Sequence, residues 1–153
     1  MKTKGIRISD GNENILEPTL SDILKEITND SSLHWSILFL DGTPNPGEGS
    51  FLAKYIDQIN NSENGISTSL EDLIKLSDKF HQMFETIVIG SKDSKLLKRY
   101  AKEEEMYIMC DIAIELIDCA FWEVYSKDES LILRLAKHFR EIEFLKCYTQ
   151  ENS

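Results

Sequence analysis

The sequence predicts an α/β fold of the α+β kind, a single-domain sandwich in which helices pack on a mixed central sheet. Three observations predict it. Short β-branched runs alternate along the chain with amphipathic stretches of helical period. Apolar residues make up 41% and charged residues 29% of the sequence, enough for a core and a wetted surface. A length of 153 residues suits one core better than two. The expected domain is 1–148, with 149–153 as a fraying tail.

Lys4 to Ser9 sets Ile6 and Ile8 against Arg7, the period of two of a half-buried strand, and Asp10-Gly11-Asn12 breaks it. From Thr19, the positions Leu20, Ile23, Leu24 and Ile27 form one helical stripe, with Asn29-Asp30-Ser31 as its stop. Leu33 to Leu40 is apolar enough for a central strand covered on both faces. Asp41 to Gly49 holds three glycines and two prolines and reads as a loop. It is no phosphate loop, because the Lys-Ser/Thr that would hold phosphate does not follow and Glu48 would repel one.

Phe51 to Ile59 carries helical spacing after Ser50, a candidate N-cap. Thr68 or Ser69 opens a third helix, with Thr68 and Glu71 as a capping box and an apolar stripe running from Leu70 to Phe84. Thr86 to Ile89 is a β-branched central strand, and the charged stretch Ser91 to Tyr107 reads as a short surface helix. Ile108 to Ile117 and Ala120 to Tyr125 form a hairpin turning near Asp118 and Cys119. Ser126 and Glu129 open a last helix through Phe139, and Glu141 to Tyr148 closes as a strand. The expected order is β-α-β-α-α-β-α-β-β-α-β.

Charge narrows the function classes. The 27 acidic and 17 basic side chains give a formal net charge of -10, which repels phosphate backbones and anionic lipid and attracts a basic protein. Direct nucleic-acid and membrane binding are therefore not expected. Polar residues interrupt the N-terminal segment before a signal-like apolar run forms, and no stretch reaches bilayer-spanning length, so a cytoplasmic address is expected. Cys110, Cys119 and Cys147 have no Cys-x-x-Cys spacing and read as reduced thiols, with a redox role open only if the fold brings Cys110 and Cys119 together.

Catalytic constellations are not legible. His34, His81 and His138 fall in separate elements without ligand or relay spacing. The Gly-x-Ser-x-Gly elbow is missing, and Glu123-Val124-Tyr125 lacks the lysine of a nuclease Glu-x-Lys. No catalytic, cofactor or metal residue is assigned, and no cofactor is expected. The abundant reactive groups are the carboxylates Asp111, Glu115, Asp118, Glu123, Asp128 and Glu129 around the hairpin. They suit a metal site or an acid and base pair, or else a solvated acidic sheet face. Among them stand Phe121, Trp122 and Tyr125. With Trp122 in the core, Phe121 and Tyr125 point the other way, either as exposed anchors for a partner or as core beneath a covering helix.

The segment Asp111 to Phe139, DIAIELIDCAFWEVYSKDESLILRLAKHF, resembles the strand-strand-helix segment that ends small acidic immunity proteins of bacterial polymorphic-toxin and contact-dependent inhibition systems. The resemblance implies a protein-binding module that neutralises a cognate, basic toxin domain by occluding its active site. On that basis Glu115, Asp118, Glu123 and Asp128 are expected as electrostatic contacts, with Phe121 and Tyr125 as anchors. Two other classes stay open. One is a small-ligand protein or enzyme using the 41–49 loop as a lid. The other is a homodimeric structural or regulatory subunit paired through the Leu70 to Phe84 stripe.

Overall fold

A computed structural model describes residues 2–12, 15–27 and 32–150. Its elements run β1 (Lys2–Ile8), β2 (Gly11–Asn12), β3 (Ile15–Leu16), α1 (Leu20–Leu24), β4 (His34–Pro44) and α2 (Gly49–Asn60). There follow β5 (Ile66–Thr68), α3 (Leu70–Ser77), β6 (Phe80–Ser91), a 3-10 turn at Ser94–Leu96 and α4 (Glu103–Met109). The chain ends with β7 (Ile112–Ile117), β8 (Phe121–Ser126), α5 (Glu129–His138), β9 (Ile142–Phe144) and β10 (Tyr148–Thr149).

The main sheet has eight strands in the order β10-β1-β8-β7-β6-β4-β5, with β9 also pairing β1. This is the expected α+β sandwich, but the pairings among the described residues are antiparallel throughout rather than mixed. Hairpin connections explain the difference for β7 and β8, and no crossover helix lies between neighbouring parallel strands.

Helices α1, α2, α3 and α5 cover one face of the sheet. Ile6, Ile8, Trp35, Ile37, Val88, Ile114, Trp122 and Val124 meet Ile23, Leu52, Leu73 and Leu135 in one core. Each fully buried Leu or Ile there contributes about 1.5–3 kcal/mol. Trp122 is held in place by its indole N–H, which donates to Pro18 O at 2.8 Å. On the opposite face α4 and the C-terminal segment close a smaller core of Leu38, Ile89, Met106, Tyr107, Cys110, Ala113 and Tyr125. The sheet is thus covered on both sides around β7 and β8, the arrangement that places the site below.

Several elements depart from the expected boundaries. The helix expected through Phe84 stops at Ser77, and Phe80 to Ser91 is one long strand, because pairing with β4 outweighs a stripe that both periods can read. The cap is Ser69, whose hydroxyl accepts from Asp72 N, rather than Thr68. The loop expected from Asp41 begins later, since Asp41 to Pro44 continue β4 along its antiparallel pairing with β6. The helix expected within Ser91 to Tyr107 splits into the 3-10 turn and α4, which takes Ile108 and Met109 from the expected strand. The small β2–β3 hairpin was not expected. The expected stop at Asn29-Asp30-Ser31 lies outside the described residues, as do tail residues 151–153. Thr149, expected to fray, pairs with Lys2.

Candidate functional site

The β7–β8 hairpin turns through Asp118 and Cys119, both left-handed, with φ of 49° and 57°. Ala120 N donates back to Ile117 O at 2.9 Å while Ile117 pairs with Phe121, so the loop is three residues, Asp118 to Ala120. Its register sets Glu115 opposite Glu123 and Ala113 opposite Tyr125. Trp122 and Val124 face the larger core, so Phe121, Glu123 and Tyr125 share the other face with Glu115.

That face carries a row of charges across four strands. Glu143 of β9 lies beside Arg7 of β1, Arg7 beside Glu123 of β8, and Glu123 beside Glu115 of β7. Arg7 donates to Glu123 Oε2 from Nε at 2.9 Å and Nη2 at 2.6 Å, reaches Glu143 at 3.7 Å, and stacks its guanidinium 4.1 Å from the Phe121 ring centre. The Tyr125 hydroxyl donates to Glu123 Oε1 at 2.9 Å. Glu123, only 6% exposed, therefore has both oxygens satisfied.

Glu115 is different. It is 3% exposed, and its Oε2 accepts from the Tyr107 hydroxyl at 2.9 Å, but its Oε1 is buried without a hydrogen-bond partner. Burial pushes this carboxyl up to about 7, against the Tyr107 hydrogen bond and with help from the charges of Glu103 and Glu123. Tyr107 and Tyr125 stack with ring centres 3.7 Å apart, and burial raises both phenols far above their usual range. A strongly perturbed acid beside a cleft marks a functional-site candidate.

The cleft is open at the turn end of the hairpin and has a volume of about 340 Å³. Glu85, Glu103, Glu115 and Asp118 bring four carboxyl groups to it, and Phe39, Ile87 and Ile117 supply apolar wall. Asp118 stands beside Glu85, and this neighbouring carboxyl raises the Glu85 carboxyl above its ordinary range.

No protein-family model, curated protein or solved structure gives a significant match to this chain. The site is therefore read from its own geometry.

The structure divides the expected contact residues. Glu115 and Asp118 meet in the cleft. Phe121 is half-buried under Arg7. Tyr125 is 5% exposed beneath Tyr107 and Tyr148, so of the two expectations for it the covered one holds. Glu123 is likewise buried, and no solvated sheet face exists at these positions. Asp128 lies away from the cleft, capping α5 by accepting from Ser130 N and Oγ, and these bonds hold its carboxyl below the usual range.

Other expectations change as well. Asn45 N donates to Lys79 O and Asn45 Nδ2 to Asp78 O, so what remains of the 41–49 loop is tied to the start of β6 instead of hanging free as a lid. The Leu70 to Phe84 stripe does not form one helix face: Leu73 and Leu76 are core and Phe80 onward is strand. Cys110 and Cys119 flank opposite ends of β7, about 20 Å apart at strand rise, too far for a disulfide. Burial pushes the Cys110 thiol up to about 11. Among the described residues no group of His, Cys, Asp or Glu is arranged to hold a metal ion, and no helix is long and apolar enough to cross a membrane.

Sequence reasoning missed Arg7, Glu85, Glu103 and Tyr107. The strand period of Ile6-Arg7-Ile8 does place Arg7 opposite the core face, which was the available signal. Glu103 and Tyr107 are one helical turn apart on α4, a spacing hidden by the split of that region.

Proposed function

We propose that the chain is a non-catalytic protein-binding module, an immunity protein that neutralises a cognate basic toxin domain by covering its active site. The observation that carries this reading is the acid-lined cleft at the open end of the β7–β8 hairpin, on a chain of net charge -10. Acidic groups set on a covered sheet are held in position before binding, so little ordering cost remains when a basic surface docks. The long-range field speeds that encounter and rejects acidic partners. Asp118, Glu103 and Glu85 supply the reachable charge, Glu115 the deep one, and Phe121 under Arg7 a rigid flank.

The test is co-expression with the C-terminal domain encoded by the neighbouring gene. A complex that forms at low salt, weakens with added salt, and protects cells from that domain is the expected result. Asp118→Lys should slow association by about tenfold with little change in folding. Failure to form a complex at low salt, or a neighbouring metabolic operon with no toxin domain, would remove this reading.

A further inference from the structure

The row of charges on the covered face alternates in sign until its last member. Glu143, Arg7 and Glu123 run negative, positive, negative, and then Glu115 follows with a second negative charge directly opposite Glu123. Like charges set opposite one another across strands destabilise a sheet. Beyond Glu115 the next position is Ile87, so no cation of the row reaches it.

Hydrogen bonding leaves the same gap. The Tyr107 hydroxyl has one proton, which goes to Glu115 Oε2 at 2.9 Å, while Glu103 Oε2 stands 3.5 Å from that hydroxyl. Glu115 Oε1 has no partner although the residue is 97% buried and lines the cleft. A buried, unpaired acceptor of this kind is costly, and a donor arriving through the cleft would remove the cost.

We propose that this cleft receives the ammonium group of a lysine side chain from the bound protein partner, with Glu115 Oε1 as its deepest acceptor and Glu103 and Asp118 around it. The assignment builds on the binding reading above. Lysine fits better than arginine because only one Glu115 oxygen lacks a partner, and a bidentate guanidinium pairs best with both oxygens of a carboxylate. Phe39, Ile87 and Ile117 offer apolar contact for the four-carbon stem. A free polyamine would call for a second deep carboxylate, whereas of the four carboxyl groups at this cleft Glu115 alone is buried, Glu103 and Asp118 being exposed and Glu85 half-buried. Another cleft, of about 290 Å³ beside α5, is lined by Lys92, Lys127 and Arg134 with Asp111 and Asp128; there Lys127 Nζ donates to Met109 O, Arg134 to Ser130 Oγ, and the two carboxylates accept from Lys92 N and Ser130.

The experiment uses the full chain labelled with ¹³C at the glutamate carboxyl carbons, titrated with Nα-acetyl-lysine N-methylamide at about pH 8, where Glu115 is ionised. The expected result is a saturable shift of the Glu115 and Glu103 carboxyl signals, half-complete at about millimolar probe, the range for so small a ligand. The norleucine analogue, with no ammonium, should give no saturable shift, and the arginine analogue should bind at least about fivefold more weakly. Glu115→Gln should weaken the lysine probe by about fivefold or more. Should that variant not fold, Glu103→Gln, at an exposed position, should weaken it by about twofold.

Linear shifts without saturation, equal binding of the norleucine or arginine probe, or saturation by spermidine at about a tenth of the lysine-probe concentration would each overturn the assignment. The two proposals fail separately. Saturable lysine binding with no toxin partner sinks the immunity reading alone, and a tight partner complex unmoved by Glu115→Gln sinks the cleft assignment alone.

Discussion

Glu115 and Glu123 stand directly opposite each other on neighbouring strands, both buried, yet only Glu123 has an arginine. Burial first, then Glu103 and Glu123, lift Glu115 from 4.5 to about 7, with Tyr107 pulling the other way. The facing groups are Glu103 and Tyr107 of α4, Glu123 and Tyr125 of β8, Glu85 of β6 and Asp118 of the turn.

An acid whose folded value is raised binds its proton more tightly in the native state, so its contribution to stability falls as pH rises from about 4.5 to about 7. The loss is about 3 kcal/mol. Glu115→Gln keeps an acceptor for Tyr107 and cannot ionise. Urea unfolding should show this variant more stable than the parent at about pH 8, with the difference nearly gone below about pH 5. Parallel stability profiles for the two proteins across that range would contradict the buried, unpaired state of Glu115.

Arg7 is the counterion that keeps Glu123 tolerable in the interior. Arg7→Ala leaves that carboxylate with Tyr125 alone and should destabilise by about 2–3 kcal/mol, below the figure for fully buried pairs because Arg7 is partly exposed. Replacing both, as Arg7→Met with Glu123→Leu, should recover most of the loss. A double-mutant cycle in urea measures the coupling, and purely additive losses would refute it.

The hairpin, its facing and its turn were legible in the sequence because period-two alternation and turn residues fix a register locally. Trp122 inward with Phe121, Glu123 and Tyr125 outward follows from that period alone. What covers the outward face was not legible, since α4 and Tyr148 reach it from elsewhere in the chain and no local pattern encodes that contact. The same holds for Arg7, which meets Glu123 only through pairing of the first strand with β8. Phe80 to Phe84 misled for a different reason: apolar spacing there fits both periods, and the long antiparallel partner decided the outcome.

Gly5 faces Tyr125 across β1 and β8, and a Cβ at that position would lie 2.7 Å from two ring carbons of Tyr125. The missing side chain is the space into which the ring fits. Gly5→Ala should push the ring against Tyr107, costing about 1–3 kcal/mol as an overpacked site. The near-ultraviolet circular dichroism of the tyrosines should change together with the unfolding midpoint. An unchanged midpoint would show that Tyr125 has room the structure does not give it.

The turn offers a stabilising change in the opposite sense. Asp118 and Cys119 both hold positive φ without being glycine, a conformation that costs an ordinary L-residue about 1 kcal/mol. Cys119 donates its backbone N–H to Phe84 O at 2.9 Å, a bond that any residue keeps, and its side chain is only partly buried. Glycine at this position relieves the steric cost but widens the unfolded ensemble, so the net gain is about 0.5 kcal/mol. Cys119→Gly should therefore raise the thermal midpoint by about 1–2 °C. The cleft carboxyls should keep their signals, because Asp118 remains beside Glu85. If the variant instead lowers the midpoint, the Cys119 side chain supports the turn through packing that outweighs its backbone strain.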